Sequence, residues 1–292
     1  MELHVALAVE LLQETTGNGY QLVGRLSGGE TGAYELRRSA DGVRLVLKWE
    51  TQRETRLLRR TGVELTERLR TVAGWPVPRQ QVIETTPCLF VLQDFMAGAP
   101  VTTMTAALTD QLLRLHARRL DLGAGRSAKP WADRLIRTLV VGGQGYCRHE
   151  SLRGYDARTA SLVAEIERFG ERLRADDFDG SDIVHWDLHP GNLLTTGDGA
   201  LSAVIDNDFC AVGDAAFDLV MLGLTCGTVR CAPGVRRNLL GVALDPLPPD
   251  RRRAYLGHLF VRLLDWPIRR GNAAEVEYWL SQVDRCRDAG YF

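Results

Sequence analysis

Past the middle of this 292-residue chain, a polar loop, His185-Trp186-Asp187-Leu188-His189-Pro190-Gly191-Asn192, lies between two short apolar runs, Ile183-Val184 and Leu193-Leu194. A third apolar run, Leu201 to Ile205, leads straight into Asp206-Asn207-Asp208. Short apolar runs bounded by turn residues read as strands. Strands on both sides would hold the loop in one shape, with Asp187, Asn192 and Asp206 at the spacing used for phosphoryl transfer. That chemistry needs a carboxylate to orient an attacking hydroxyl and take its proton. It also needs hard oxygen donors for Mg²⁺. Asp187 suits the first role, and Asn192 and Asp206 suit the second.

Composition narrows the alternatives. At 45% hydrophobic and 25% charged residues the chain has ample material for a packed core, in one large domain or two lobes. A formal net charge of −1 favours neither nucleic acid nor a membrane surface as partner. No apolar run approaches the roughly 18 residues needed to span a bilayer. Met1-Glu2-Leu3-His4 lacks a basic signal region. The expectation is a soluble, cytoplasmic protein. Its six cysteines form no CxxC pair and read as free thiols rather than a zinc site.

Charge is unevenly spread. Residues 175–229 hold ten Asp and no Lys or Arg. A run of this kind reads either as a solvated face or as a negative field that attracts Mg²⁺ and a cationic substrate. Lysine occurs only at Lys48 and Lys129, against 34 Arg.

Along the chain, residues 3–13 have helical apolar spacing. Strands are expected at Tyr20–Leu26, Ala33–Arg38, Val43–Trp49, Val82–Glu84 and Leu89–Gln93. A Gly-rich turn over residues 27–32 separates the first two. Thr51–Val72 reads as an Arg-rich helix that Thr61-Gly62 interrupts and Pro76 ends. Beyond residue 100 the pattern is mainly helical, at 109–120, 131–141, 157–173, 215–224, 250–269 and 273–285.

The pattern H-x-D-x-x-x-x-N, followed by a strand ending in Asp, resembles the catalytic loop and metal-binding segment of the protein-kinase-like fold. The fuller form HxDLHPGNLL, then IDxD and GDxAFDL, is similar to the aminoglycoside phosphotransferase family of antibiotic and small-molecule kinases. The resemblance runs from about Tyr20 to Leu224. Trp186 departs from it, because the family usually has Gly there.

The resemblance implies an α+β, bilobal protein-kinase-like fold. Residues 1–94 would form an N-terminal nucleotide-binding lobe with a small antiparallel sheet. Residues 95–100 would be a hinge, and 101–292 a larger, mainly helical catalytic and substrate-binding lobe. ATP and Mg²⁺ are the expected cofactors, with GTP not distinguished from ATP. Lys48 would hold the α/β-phosphates, oriented by a Glu of the following helix. Glu54, Glu64 and Glu67 are candidates. Glu64 is preferred because it lies 16 residues after Lys48 and 12 before Pro76. Gly28 and Gly29 would bring backbone N–H groups to the phosphates. The Gln93 C=O and Phe95 N–H would bind adenine.

His185 is expected to support the loop. His189 and Trp186 are candidates for substrate contact, as is Asp208, which could also assist a second Mg²⁺ or bind an amine. Asp214 and Asp218 are expected to tie their loop to the next helix, and His116 to be a satisfied core residue. Glu275, Glu277 and the terminal Phe292 are further substrate candidates, by likeness to family members that hold polyamines with acidic C-terminal residues.

The function implied is ATP/Mg²⁺-dependent phosphorylation of a hydroxyl on a cationic small-molecule antibiotic, an aminoglycoside or a capreomycin/viomycin-type basic peptide. The alternative is a metabolic kinase for choline, an amino sugar or a similar acceptor. A nucleotide-binding pseudokinase predicts the loss of Lys48, Asp187, Asn192 or Asp206, and all four are present. A protein kinase predicts an APE segment, which does not follow Asp206.

Overall fold

The computed structural model describes residues 3–26, 32–86, 88–143 and 145–292. In chain order the elements are α1 (Val5–Thr16), β1 (Tyr20–Arg25), β2 (Tyr34–Arg38), β3 (Arg44–Glu50), α2 (Arg53–Thr71), β4 (Gln80–Glu84), β5 (Leu89–Asp94), β6 (Ala99–Pro100), β7 (Thr103–Met104) and α3 (Ala106–Arg118). Then come α4 (Lys129–Val140), α5 (His149–Tyr155), α6 (Ala157–Gly170), β8 (Asp182–Val184), β9 (Leu193–Thr195), β10 (Leu201–Val204), β11 (Ala211–Gly213) and α7 (Ala216–Thr225). The chain ends with β12 (Arg230–Cys231), α8 (Val235–Leu244), α9 (Pro249–Arg269) and α10 (Ala273–Asp288).

Two compact units result. The first comprises residues 1–102, 110–119 and 185–211. Its centre is a five-stranded antiparallel sheet in the order β1-β2-β3-β5-β4. Successive strand residues point to opposite faces. Leu45 and Leu47 of β3 and Phe90 and Leu92 of β5 therefore share one face with Ala8, Val9 and Leu12 of α1. Leu89 and Val91 face the other way, against Val63 of α2. Lys48 lies opposite Val91, and Val46 opposite Gln93. The same alternation therefore carries the Lys48 ammonium onto the α2 face.

Helix α2 runs unbroken through Thr61-Gly62, where the sequence suggested an interruption. Gly62 is buried against the backbone of the segment after β10. A Cβ there would lie 2.1 Å from the Asp208 carbonyl oxygen. Close packing, and not a break in the helix, accounts for this glycine.

The loop-bearing hairpin joins the same unit through backbone pairing. β9 pairs with β10 and β6, and Val204 N–H donates to Pro76 C=O at 2.8 Å. Trp75 Nε1 donates to Leu115 C=O at 2.8 Å, and the buried Arg119 guanidinium lies 4.9 Å over its ring.

The second unit comprises residues 103–109, 120–184 and 212–292, and is mainly helical. Trp131, Phe178, Phe217 and Tyr255 form an aromatic cluster in its core. Helices α5 and α8 have no counterpart in the sequence expectations. α5 spans only seven residues, too short for a clear 3.6-residue period. All six cysteines are free. Burial pushes the thiols of Cys147 and Cys226 up to about 12 and that of Cys286 up to about 11. Among the described residues, no helix is long and apolar enough to cross a membrane.

His116 of α3 accepts a hydrogen bond from Arg119 Nη2 at 2.9 Å, as a satisfied interior histidine should. Burial, with help from the Arg119 charge, lowers its pKa to about 3. Between that value and the ordinary 6.5 the unfolded chain binds more protons than the folded one. Stability is therefore expected to fall as pH drops from about 6.5, by up to ~1.4 kcal/mol per pH unit. Denaturant midpoints at pH 7 and pH 5, compared between wild type and His116→Gln, check this. The variant should lose part of the pH slope.

Candidate active site

The first unit brings together side chains more than a hundred residues apart. Lys48 Nζ lies 2.7 Å from Asp206 Oδ1 and 3.0 Å from Asp208 Oδ2. Burial disfavours the ammonium, but the charges of Asp208 and Asp206 outweigh it and raise the Lys48 pKa. The Lys48 charge in turn lowers Asp206, against burial and the nearby Asp187 carboxylate. Lys48 is therefore a cation held between two carboxylates.

Local hydrogen bonds shape the catalytic loop. His185 is wholly buried; its Nε2 donates to the Ile205 C=O at 3.0 Å and its Nδ1 accepts the Asp187 N–H at 3.2 Å. It thereby bridges the loop to the segment between β10 and Asp206, the supporting role expected of it. Asn192 Nδ2 donates to the Asp187 C=O at 2.9 Å. That bond closes the loop, and the amide's other atom, Oδ1, is a hard donor of the kind that could hold a cation.

Trp186 and Asp206 have φ of 75° and 64°, in the left-handed region that side chains rarely adopt. Such strain persists only where the surroundings enforce it. At Trp186 it falls where the resembled family usually has Gly.

Other expected site residues fare differently. Glu64 is exposed on α2, and Lys48 takes its carboxylates from Asp206 and Asp208 instead. The buried residues of α2 are Arg59, Gly62, Val63, Leu65, Thr66 and Leu69, and Glu64 lies off their face. Asp208 is 1% exposed and accepts from Arg59 Nη1 at 2.5 Å and Gln80 Nε2 at 3.0 Å, so it has no free face for a substrate amine. Neither Arg59 nor Gln80 belongs to a sequence motif; Arg59's place on the buried face of α2 is the signal that marks it. Gly28 and Gly29 lie outside the described residues.

Phe95 N–H donates to the Arg44 C=O at 3.3 Å, and the Arg44 guanidinium stacks 3.6 Å over its ring. In the two-residue repeat of an antiparallel ladder, Gln93 then turns its own N–H and C=O to Val46. Neither expected adenine contact is open.

Among the substrate candidates, Trp186 is 2% exposed, so its indole fills the interior and does not line an open surface. His189 Nδ1 accepts the Gly191 N–H at 3.0 Å, leaving Nε2 to carry the neutral ring's proton, 3.6 Å from Asp187 Oδ1. In the second unit, Glu277 is ion-paired to Arg158. Glu275 takes part in the Asn272 cap of α10, accepting from Asn272 Nδ2 at 3.0 Å. Phe292 packs edge-on to Phe260 at 5.3 Å. These three residues have evident structural partners.

Several acids of the run have internal partners. Asp179 pairs with Arg251, Asp182 accepts the N–H groups of Asp121 and Ala215, and Asp214 accepts from Tyr255 Oη at 2.7 Å and the Ala216 N–H at 2.9 Å. Asp214 thus ties its loop to α7, as expected.

No cluster of three His, Cys, Asp or Glu that could hold a metal occurs among the described residues. Mg²⁺ commonly binds through one or two protein groups plus substrate phosphates. Asn192 Oδ1 and the Asp206 carboxylate, beside the like-charged Asp187, fit an ion delivered with a nucleotide and not a metal caged by protein alone.

Residues 22–255 match the sequence model of the phosphotransferase enzyme family, labelled APH. The structure is similar to a thermostable mutant of aminoglycoside phosphotransferase APH(4)-Ia in its apo form (TM-score 0.64, 17% identity, 97% of this chain and 99% of that one). A ternary complex of the thermostable APH(4)-Ia with ADP and hygromycin B matches with TM-score 0.60 at 16% identity, covering 95% and 96% of the two chains. Choline kinase LicA from Streptococcus pneumoniae matches with TM-score 0.56 at 13% identity, covering 94% and 98%. No curated protein sequence matches the chain. Antibiotic and choline kinases thus share its protein-kinase-like fold, and the chain belongs to the phosphotransferase enzyme family.

Proposed function

We propose that the chain transfers the γ-phosphoryl group of ATP to a hydroxyl of a small molecule, in the cytoplasm, with Mg²⁺ accompanying the nucleotide. The observation that carries this reading is the Lys48–Asp206 pair, 2.7 Å apart and 158 residues apart in sequence, beside the loop of Asp187 and Asn192. Lys48 would donate to the α/β-phosphates. The Asp187 carboxylate would orient the acceptor hydroxyl and take its proton as the new O–P bond forms and the bond to ADP breaks. The imidazole of His189 stands beside that carboxylate and would help hold it. Asn192 and Asp206 would hold the ion, which when bound neutralises phosphate charge. Adenine is assigned to the Asp94 C=O and Met96 N–H, at the end of β5 and just beyond it.

For the acceptor, we favour a cationic antibiotic, an aminoglycoside or a basic cyclic peptide, whose phosphorylation would confer resistance. Likeness to an enzyme crystallised with hygromycin B supports this. Likeness to choline kinases supports the alternative, a metabolic kinase for a choline-like amine.

The test is an ATP-consumption screen of purified protein against aminoglycosides, tuberactinomycin peptides and choline-like amines. Turnover with an antibiotic at k_cat/K_M above that for every metabolite supports the first reading. The reverse ranking replaces it with the second. Asp206→Ala is expected to weaken Mg-ATP binding at least about tenfold and remove its Mg²⁺ dependence. Calorimetry with and without EDTA checks this, and unchanged metal dependence would remove Asp206 as a ligand.

A further inference from the structure

The two carboxylates on Lys48 are not equivalent. Asp206 has a side chain 43% exposed, and Lys48 is its ion-pair partner. Asp208 is 1% exposed; Arg59 Nη1 and Lys48 Nζ share one of its oxygens, and Gln80 Nε2 takes the other. Gln80 also donates to Gln93 Oε1 at 3.0 Å, fastening the cluster to β5. The turn bearing both acids is itself braced. Asn207 Nδ2 donates to the Val204 C=O at 2.8 Å, and Thr66 Oγ1 donates to the Asn207 C=O at 3.2 Å.

We propose that Asp208, not an acid on α2, is the fixed anchor that positions Lys48, with Arg59 as its counter-cation. Asp206 is the exchangeable partner, which yields Lys48 to the nucleotide phosphates. This rests on the phosphotransferase reading above.

Charge supports the arrangement. Arg59 shares Asp208 with Lys48 and lies 3.9 Å from Glu50, so it offsets acid that would otherwise hold Lys48 alone. When Asp206 turns to a cation, the Lys48 ammonium is left to face a polyanion. Geometry supports the same division. A half-exposed carboxylate with one ion-pair partner changes partners at modest cost. A buried one gripped from three sides would lose hydrogen bonds that nothing replaces. Position 59 lies on the inward stripe of α2, whereas position 64 is about 140° further round at 3.6 residues per turn. The inward face of α2 therefore presents a base, and the acid for Lys48 stands two residues beyond Asp206.

The test uses the full chain, Mg-ATP and acceptor-independent ATP hydrolysis. Asp208→Asn alone leaves two buried cations facing each other and destabilises the fold. The double variant Asp208→Asn/Arg59→Met removes the pair together. It is expected to fold, to bind Mg-ATP within about fivefold of wild type, and to lose at least about tenfold in k_cat, because Lys48 has lost its anchor. A merely structural role for Asp208 predicts wild-type k_cat in the double variant, which overturns the proposal. So does the opposite ranking, with Glu64→Gln lowering kcat while the double variant does not. Failure of wild type to bind Mg-ATP would instead overturn the phosphotransferase reading, and this assignment with it.

Discussion

Replacing Asp187 by Asn is expected to lower k_cat by about 10²–10⁴-fold, the usual contribution of a positioned general base. Mg-ATP affinity should stay within about threefold of wild type. The loop contacts explain why the two effects separate. Asn192 and His185 bind the backbone of residue 187, through its C=O and N–H, not its side chain. An isosteric amide keeps those bonds, so the loop retains its shape and Lys48 its partners. What disappears is the negative oxygen able to accept a proton. Isothermal titration with Mg-ATP and steady-state turnover on the same preparation measure both quantities. Loss of nucleotide binding together with turnover would reassign Asp187 to binding or structure.

The second large effect is expected at Gly62. An added methyl carbon would sit 2.1 Å from the Asp208 carbonyl oxygen and 2.6 Å from its carbon. Backbone cannot rotate away as a side chain can. Helix α2 must therefore lift from the 207–209 turn, stretching the Arg59–Asp208 pair and the Thr66–Asn207 bond. Overpacking of this kind costs typically about 1–3 kcal/mol, and contact with rigid backbone belongs at the upper end. Gly62→Ala should lower the thermal midpoint by several degrees and impair turnover, although the residue touches no substrate. An unchanged midpoint would show that α2 accommodates the methyl group. Alanine ordinarily favours a helix over glycine by roughly 0.5–1 kcal/mol, so propensity alone predicts the opposite sign.

Gly62 also marks where reading the chain one segment at a time reaches its limit. A glycine inside an Arg-rich helical stretch looks like a weak point, since nothing nearby in sequence explains it. Its cause lies almost 150 residues downstream, at Asp208. Glu64 illustrates the same limit from the other side: its spacing from Lys48 and Pro76 agrees with a family pattern, but helical phase turns it outward and gives Arg59 the inward position. The Gln93 and Phe95 contacts fail by a similarly small margin, because strand register determines which backbone groups the ladder consumes.

Short-range chemistry was legible in the chain. The strand–loop–strand pattern around Asp187 and the alternation that puts Lys48 on one face of β3 follow from local periodicity. So does the helical character of residues beyond 100, since each is set by near neighbours in sequence. The partners of Lys48, the burial of Asp208 and Trp186, and the joining of 185–211 to the first hundred residues were decided only by the tertiary structure. Salt bridges and close packing depend on distance in space, and a linear spacing does not encode which distant side chain arrives, or which face it presents.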